Sequence, residues 1–229
     1  MLSHLELHNF KAFADVAIDI KPITVLLGPN NSGKSSLMAA LRLLTQTLES
    51  NDKQIPLLLN GIMGDFGTYQ DVVYGNDVTK PITIGFTLDF GLTMLLNYEY
   101  HPDSHEVSLA KLVVGEPKKP IKSIIQYDKP HKKYWLEVPD IEYTLQNQLN
   151  SYTITLQSFI PMGWGTNKVI PQNPLASMMD LLSDSVLIET ELKNIRYIGP
   201  CETRPPAPTF LVAKGAVALA CLAKMPLIF

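Results

Sequence analysis

Cysteine is scarce in this sequence. Cys201 and Cys221 are the only two among 229 residues, and they form no CxxC pair and sit near no histidine cluster. So few thiols provide no disulfide framework and suit a reducing compartment, so a cytoplasmic location is expected. A dominant charge is also lacking. The formal net charge is −3, so no bulk basic field draws the chain to nucleic acid or anionic membrane, and any such contact needs a local patch. The one long apolar stretch, 210–229, is interrupted by Lys214 and Lys224 and followed through by Pro226, whereas a membrane span needs about 20 mostly apolar residues. It reads instead as a partly buried or poorly packed tail. His4, Glu6, His8 and Lys11 break any apolar run at the start, so no signal peptide is read there. The five histidines are scattered. His101 and His105 would share a face only on a helix, and Pro102 argues against one, so no metal cage follows. A nucleophile-elbow motif for hydrolase chemistry is missing as well.

What remains is a folded globular chain, 46% hydrophobic and 18% charged, long enough for one sizeable core or two small ones. Its most informative segment is Gly28-Pro29-Asn30-Asn31-Ser32-Gly33-Lys34-Ser35, a GxxxxGK[ST] phosphate-binding loop. Ile23-Thr24-Val25-Leu26-Leu27 before it reads as a short buried strand, and Ser36 to about Leu48 after it as a helix. A loop joining a strand end to a helix N-terminus is where this motif has to lie. Glycines let successive backbone N–H groups turn into one concavity, and the helix dipole adds partial positive charge there. In that geometry Lys34 reaches the β- and γ-phosphates and the Ser35 hydroxyl ligates Mg²⁺. A plain Gly/Asn/Ser turn is the competing reading.

Around the loop the chain changes period. Leu2–Phe10 and Val16–Ile20 read as strands, with Pro22 separating the second from the strand that feeds the loop. In the helix, Leu37, Ala40, Leu41, Leu44 and Leu48 fall on one face, with Arg42, Thr45, Gln46 and Glu49 largely off it. From about Tyr69 to Leu156 the pattern is mostly period-two. Its clearest run is Ile82, Ile84, Phe86, Leu88 and Phe90, and further runs follow at Thr93–Tyr100, Glu106–Val114, Ile121–Tyr127, Lys133–Val138 and Tyr152–Phe159. This predicts an antiparallel meander with one wet face. Helical spacing returns from Leu175 to Lys193 after Asn173-Pro174, then a short strand at Ile195–Ile198 and a proline-rich loop over 201–208.

A P-loop ATPase also needs an acidic residue at the end of a second apolar strand. No run of four apolar residues followed by Asp-Glu or Asp-Asp occurs. Asp89 and Asp180 come nearest and read better as surface or cap carboxylates. The guanine-selective Asn-Lys-x-Asp pattern fails at Thr166-Asn167-Lys168-Val169-Ile170, which leaves ATP as the default nucleotide.

Leu5-Glu6-Leu7-His8-Asn9-Phe10-Lys11-Ala12-Phe13 followed by the Ile23–Leu37 segment resembles the opening of RecF/OLD-type AAA ATPases, relatives of SMC and ABC-type heads. Gly67–Val73 and Tyr197-Ile198-Gly199-Pro200 are similar to later segments of the same family, with weaker signal. The resemblance implies an α/β P-loop NTPase of ABC-head type, with lobe one carrying an inserted antiparallel β-meander. It places the head over 1–206, the insertion at about 69–160, the helix at about 174–193, and an atypical apolar tail at 207–229. It implies ATP and Mg²⁺ as cofactors. Gly28, Pro29, Asn30, Asn31, Ser32, Gly33, Lys34, Ser35 and Ser36 would contact nucleotide, with Lys34 as the catalytic charge. Lys11 and Phe13 would lie beside base and α-phosphate, and Ser35 and Gln70 would be at the metal. Core packing is an equal reading for Phe13, and a strand-edge polar residue the leading one for Gln70. Complete heads of this kind pair so that each P-loop faces the partner's signature motif. This chain contains neither a signature serine-glycine nor the Asp-Glu pair, so it reads as the N-terminal portion of a longer product, truncated before the second lobe.

The resemblance also implies a second ATPase head as partner, DNA or a nuclease effector beyond it, and a role in DNA repair or phage defence. Two other readings stay open: a P-loop phosphotransferase, for which only Arg196 and Arg204 could serve an acceptor, and a non-catalytic nucleotide-binding remnant. Lys118, Lys119, Lys122, Lys129, Lys132 and Lys133 with Tyr127, Tyr134 and Trp135 form a basic–aromatic cluster. It would suit DNA phosphates and bases, but these lysines flank turns where solvated charge is expected anyway.

Overall fold

The computed structural model of the chain describes residues 1–115, 123–137, 153–165, 172–198, 209–213 and 217–221. Its largest element is a nine-stranded antiparallel sheet of β1 (Leu2–Phe10), β2 (Phe13–Asp19), β6 (Ile82–Leu88), β7 (Thr93–His101), β8 (Glu106–Gly115), β9 (Ser123–Asp128), β10 (Lys133–Glu137), β11 (Thr153–Gln157) and β12 (Ile160–Gly165). Their order is β12-β11-β10-β9-β8-β7-β6-β1-β2, and β4 (Asn60–Gly61) and β5 (Gly64–Asp65) form a separate hairpin. From β6 to β12 each strand pairs with the next in sequence, as the period-two pattern predicts as far as β11, and β1 closes onto β6 with Leu5 opposite Phe86 and Leu7 opposite Ile84. Alternate side chains, among them Leu5, Leu7, Ile84, Phe86, Leu96 and Leu112, are fully buried, while Glu6, Thr83 and Lys111 stay at least partly exposed. That alternation is what one covered face and one wet face require.

One strand escaped the periodicity. The run read as Tyr152–Phe159 ends at Gln157, turns through Ser158 (φ 56°) and Phe159, and returns as β12. Pro161 and Gly163 break the alternation there, and the pairing slips between Thr155 and Leu156.

The loop helix α1 (Lys34–Glu49) packs against this sheet, and its side chains join those of the sheet in one continuous core. The sequence suggested an amphipathic helix; the structure buries it nearly all round. Thr45, Gln46 and Thr47 are as buried as the leucines. Both hydroxyls and one amide group find acceptors: Thr45 Oγ1 donates to Leu41 O (2.9 Å), Thr47 Oγ1 to Leu43 O (2.7 Å), and Gln46 Nε2 to Leu58 O (2.6 Å), while Gln46 Oε1 is buried without a partner among the described residues. A helix contacted on several sides cannot be read from a single apolar stripe.

Behind α1 lies α3 (Gln172–Lys193), which buries Leu181, Ser185, Ile188 and Leu192 at helical spacing. A second, four-stranded sheet runs in the order β13-β14-β15-β3, with β3 (Ile23–Leu26), β13 (Ile195–Ile198), β14 (Thr209–Ala213) and β15 (Val217–Cys221). The stretch expected as a partly buried or poorly packed tail supplies two strands, and β15 runs parallel to β3 with Ala220 opposite Val25. The expected loop over 201–208 lies outside the described residues.

β3 itself departs from expectation. It reads as a buried strand, yet Ile23 is 77% exposed and Val25 47%, and Leu27 just beyond is 74% exposed. These three residues, two apart, point to one face of their sheet, and their exposure shows that no described residues cover that face; β3 is also an edge strand.

Candidate functional site

The P-loop leaves the end of β3 and enters α1. Two residues in it take left-handed backbone angles, Asn31 (φ 64°) and Gly33 (φ 87°). Ser32 N donates to Pro29 O (3.3 Å), closing the turn, and Ser36 N and Leu37 N both donate to Gly33 O (2.8 and 3.2 Å), opening the helix. Lys34 and Ser35 occupy the first helical positions, where a backbone N–H has no intrahelical acceptor. No side chain caps this end. Amides unpaired among the described residues and the positive end of a sixteen-residue helix dipole therefore converge at the loop, an arrangement that favours an anion.

Lys34 folds back across the same loop. Its Nζ donates to Gly28 O (2.8 Å) and Pro29 O (2.6 Å), with Ser32 Oγ at 3.4 Å. These are neutral oxygens, so the ammonium is oriented without being neutralised by a carboxylate among the described residues. Asn30, Asn31, Ser32 and Ser35 are exposed, and Ser36 is half-buried. The Ser35 hydroxyl is thus open to solvent next to the Lys34 amide. This donor set fits a polyphosphate carrying Mg²⁺: amides and ammonium for the phosphate oxygens, a hydroxyl for the metal.

Phe13, at the start of β2, covers the loop from the side. A Cβ placed on Gly33 would lie 2.4 Å from Phe13 Cζ and 2.9 Å from Cε1. The ring is half-buried and packs against the core as well. The ring thus packs on the core and on the P-loop together.

Lys11 sits in the tight β1–β2 turn with φ 47°. Its backbone N–H donates to Val72 O (2.7 Å), and its Nζ approaches Asp71 O (3.5 Å) and lies 5.5 Å from the centre of the Phe66 ring. Burial lowers its pKa, with the charge of Asp71 opposing the shift. Arg42, from the middle of α1, lies 5.3 Å from the same ring and donates to Met63 O. Phe66 therefore gathers one cation from the β1–β2 turn and one from the P-loop helix, a pairing that links the two segments.

Gln70 is not at the strand edge of one of its readings. It lies on a single helical turn, α2 (Tyr69–Val72), rather than on a strand edge, and it is exposed. It lines a 460 Å³ cavity with Thr68, Tyr69, Tyr100 and His105. Its carbonyl accepts from Asn76 Nδ2 (3.1 Å), and among the described residues no interaction joins it to Ser35. The turn beneath it is set by a capping box in which Asp71 Oδ2 accepts from the Thr68 N–H and hydroxyl, both at 2.8 Å. Those two donors hold the Asp71 carboxyl below its usual pKa. Sequence reasoning passed over this feature, although Thr68-x-x-Asp71 is a legible capping signal.

Of the basic–aromatic cluster, Lys118, Lys119 and Lys122 lie outside the described residues. Lys129, Lys132 and Lys133 are exposed at the β9–β10 turn, and the Tyr127 and Tyr134 rings pack together at 5.0 Å. Among the described residues, no three His, Cys, Asp or Glu side chains gather closely enough to hold a metal ion, and no helix is long and apolar enough to cross a membrane.

Comparison with known proteins agrees with this geometry at the level of the domain. The family described as AAA ATPase domain matches residues 1–164, well over half of the chain. No curated protein matches it.

Proposed function

The chain belongs to the AAA ATPase domain family, and on that premise we propose that it binds ATP·Mg²⁺ through the P-loop as part of a RecF/OLD-type head. The observation that supports this best is the Lys34 ammonium held over the loop by three neutral oxygens, beside helix amides with no acceptor of their own. In this reading the backbone of residues 30–35 cradles the phosphates, Lys34 neutralises them, and Ser35 holds the metal. Mg²⁺, when bound, would screen phosphate charge and fix its orientation. Phe13 braces Gly33 so that the amides keep their aim.

Hydrolysis by such a head needs carboxylates that this sequence does not contain after an apolar strand, so the 229 residues alone should turn ATP over slowly. A second ATPase head completing the site, and DNA or a nuclease effector acted on by the pair in DNA repair or phage defence, belong to the same proposal. The phosphotransferase reading gains no support. Arg196 is occupied by Lys193 O (2.9 Å) and stands 3.8 Å from Glu49, and Arg204 lies outside the described residues. Titration of a fluorescent ATP analogue with Mg²⁺ into wild type and Lys34→Ala tests the central claim. Wild type should bind and the variant should lose most of its affinity; equal affinities would reject a working P-loop.

A further inference from the structure

Away from the P-loop, the tips of two hairpins and the segment after α1 enclose a groove of about 660 Å³. Ile55, Pro56, Leu57 and Tyr127 give it an apolar wall, and His101, Ser108, Lys129 and Lys132 bring polar groups to the same space. That volume and that mixture are those of a small-ligand site rather than a flat surface.

The hydrogen bonds at the polar end have a direction. Lys129 Nζ lies 3.3 Å from His101 Nδ1, and His101 Nε2 lies 2.8 Å from Ser108 Oγ. An ammonium only donates, so Nδ1 accepts, and the ring proton is then on Nε2 and is given to Ser108 Oγ. This arrangement deprives His101 of the lone pair needed to activate Ser108, so the pair is no nucleophile and base. It does leave the Ser108 hydroxyl proton for another acceptor. Neither lysine has a carboxylate within ion-pair distance among the described residues; Asp128, at the same turn, is taken by His131 at 2.7 Å. Donors and unneutralised positive charge therefore meet at one end of an apolar groove. Glu106 brings a carboxylate, with two accepting oxygens, to the lining.

We propose that this groove binds a nucleotide-sized phosphate ester. Its phosphate would lie between Lys129, Lys132 and the Ser108 hydroxyl, its base or other apolar part against Tyr127 and Pro56, and Glu106 would accept from sugar hydroxyls. The proposal does not rest on the P-loop reading, and its test is kept separate from it.

In the Lys34→Ala chain, which takes the P-loop out of the measurement, adenosine 5′-monophosphate is titrated by calorimetry. Saturable binding at one site is expected. Lys129→Gln with Lys132→Gln should weaken it about tenfold or more, as expected when charge-assisted hydrogen bonds are lost, and Ser108→Ala should weaken it several-fold. Both lysines are exposed, so the double variant should melt as wild type does; should it not, Lys132→Gln alone carries the test with the same direction of effect. Absence of saturable binding, or equal affinity in the lysine variants, overturns the proposal. Tighter lysine-dependent binding of a single-stranded oligonucleotide than of the mononucleotide overturns it too, because the groove would then be part of a polynucleotide track.

Discussion

Replacing Gly33 by alanine places a methyl group 2.4 Å from Phe13 Cζ at a residue whose φ is 87°. Two independent costs follow. A side chain in the left-handed region costs about 1–2 kcal/mol. Forcing the aromatic ring aside is an overpacking event of about 1–3 kcal/mol. Together they remove about 2–5 kcal/mol from a domain of ordinary stability, about 5–15 kcal/mol. The two costs separate in a double-mutant cycle, because Phe13→Ala relieves the clash and leaves the backbone strain untouched. Urea unfolding followed by tryptophan fluorescence should show Gly33→Ala to be milder in the Phe13→Ala background by about 1–3 kcal/mol, a normal coupling for residues in contact. An identical cost in the two backgrounds would refute the claim that the Phe13 ring packs on the P-loop. The glycine would then be required for its backbone angle alone.

Three further outcomes are expected. Lys34→Ala should abolish most Mg²⁺-dependent binding of a fluorescent ATP analogue while leaving the urea midpoint within experimental error, since its ammonium bonds only loop oxygens. Asp71→Asn should lower the urea midpoint at neutral pH through the Thr68 cap. The folded pKa of Asp71 is depressed, so its contribution is present above the ordinary aspartate value of about 3.9 and is lost as pH falls through the folded value. The wild-type and Asp71→Asn midpoints should therefore converge in acid, and a gap that persisted there would contradict the assignment. Ser158→Ala removes the buried hydrogen bond from Ser158 Oγ to Thr47 O (3.1 Å) and should cost about 1 kcal/mol in the same unfolding assay.

Much of the fold was legible because it is local. The meander from β6 to β10 follows from alternation and turn residues, and α3 from 3.6-residue spacing. The β11–β12 hairpin was not legible, because Pro161 and Gly163 hide the second strand and the turn at Ser158 carries no glycine. The surroundings of α1 were misread for a different reason. Thr45 and Thr47 look like surface residues by type, yet each bonds the carbonyl four residues back and so can be buried at little cost. Gln70 was read from resemblance, and its place on a helical turn depends on the Thr68–Asp71 cap beside it.

Sequence by itself determined the P-loop with the strand before it and the helix after it, since a motif of eight neighbouring residues specifies its own curl. Tertiary structure alone decided that Phe13 leans on Gly33, that Phe66 gathers Lys11 and Arg42, and that β15 lies alongside β3. Those contacts join segments from about 20 to nearly 200 residues apart. Distance along the chain carries no local periodicity to announce it, so only the packing of a shared core brings such partners together.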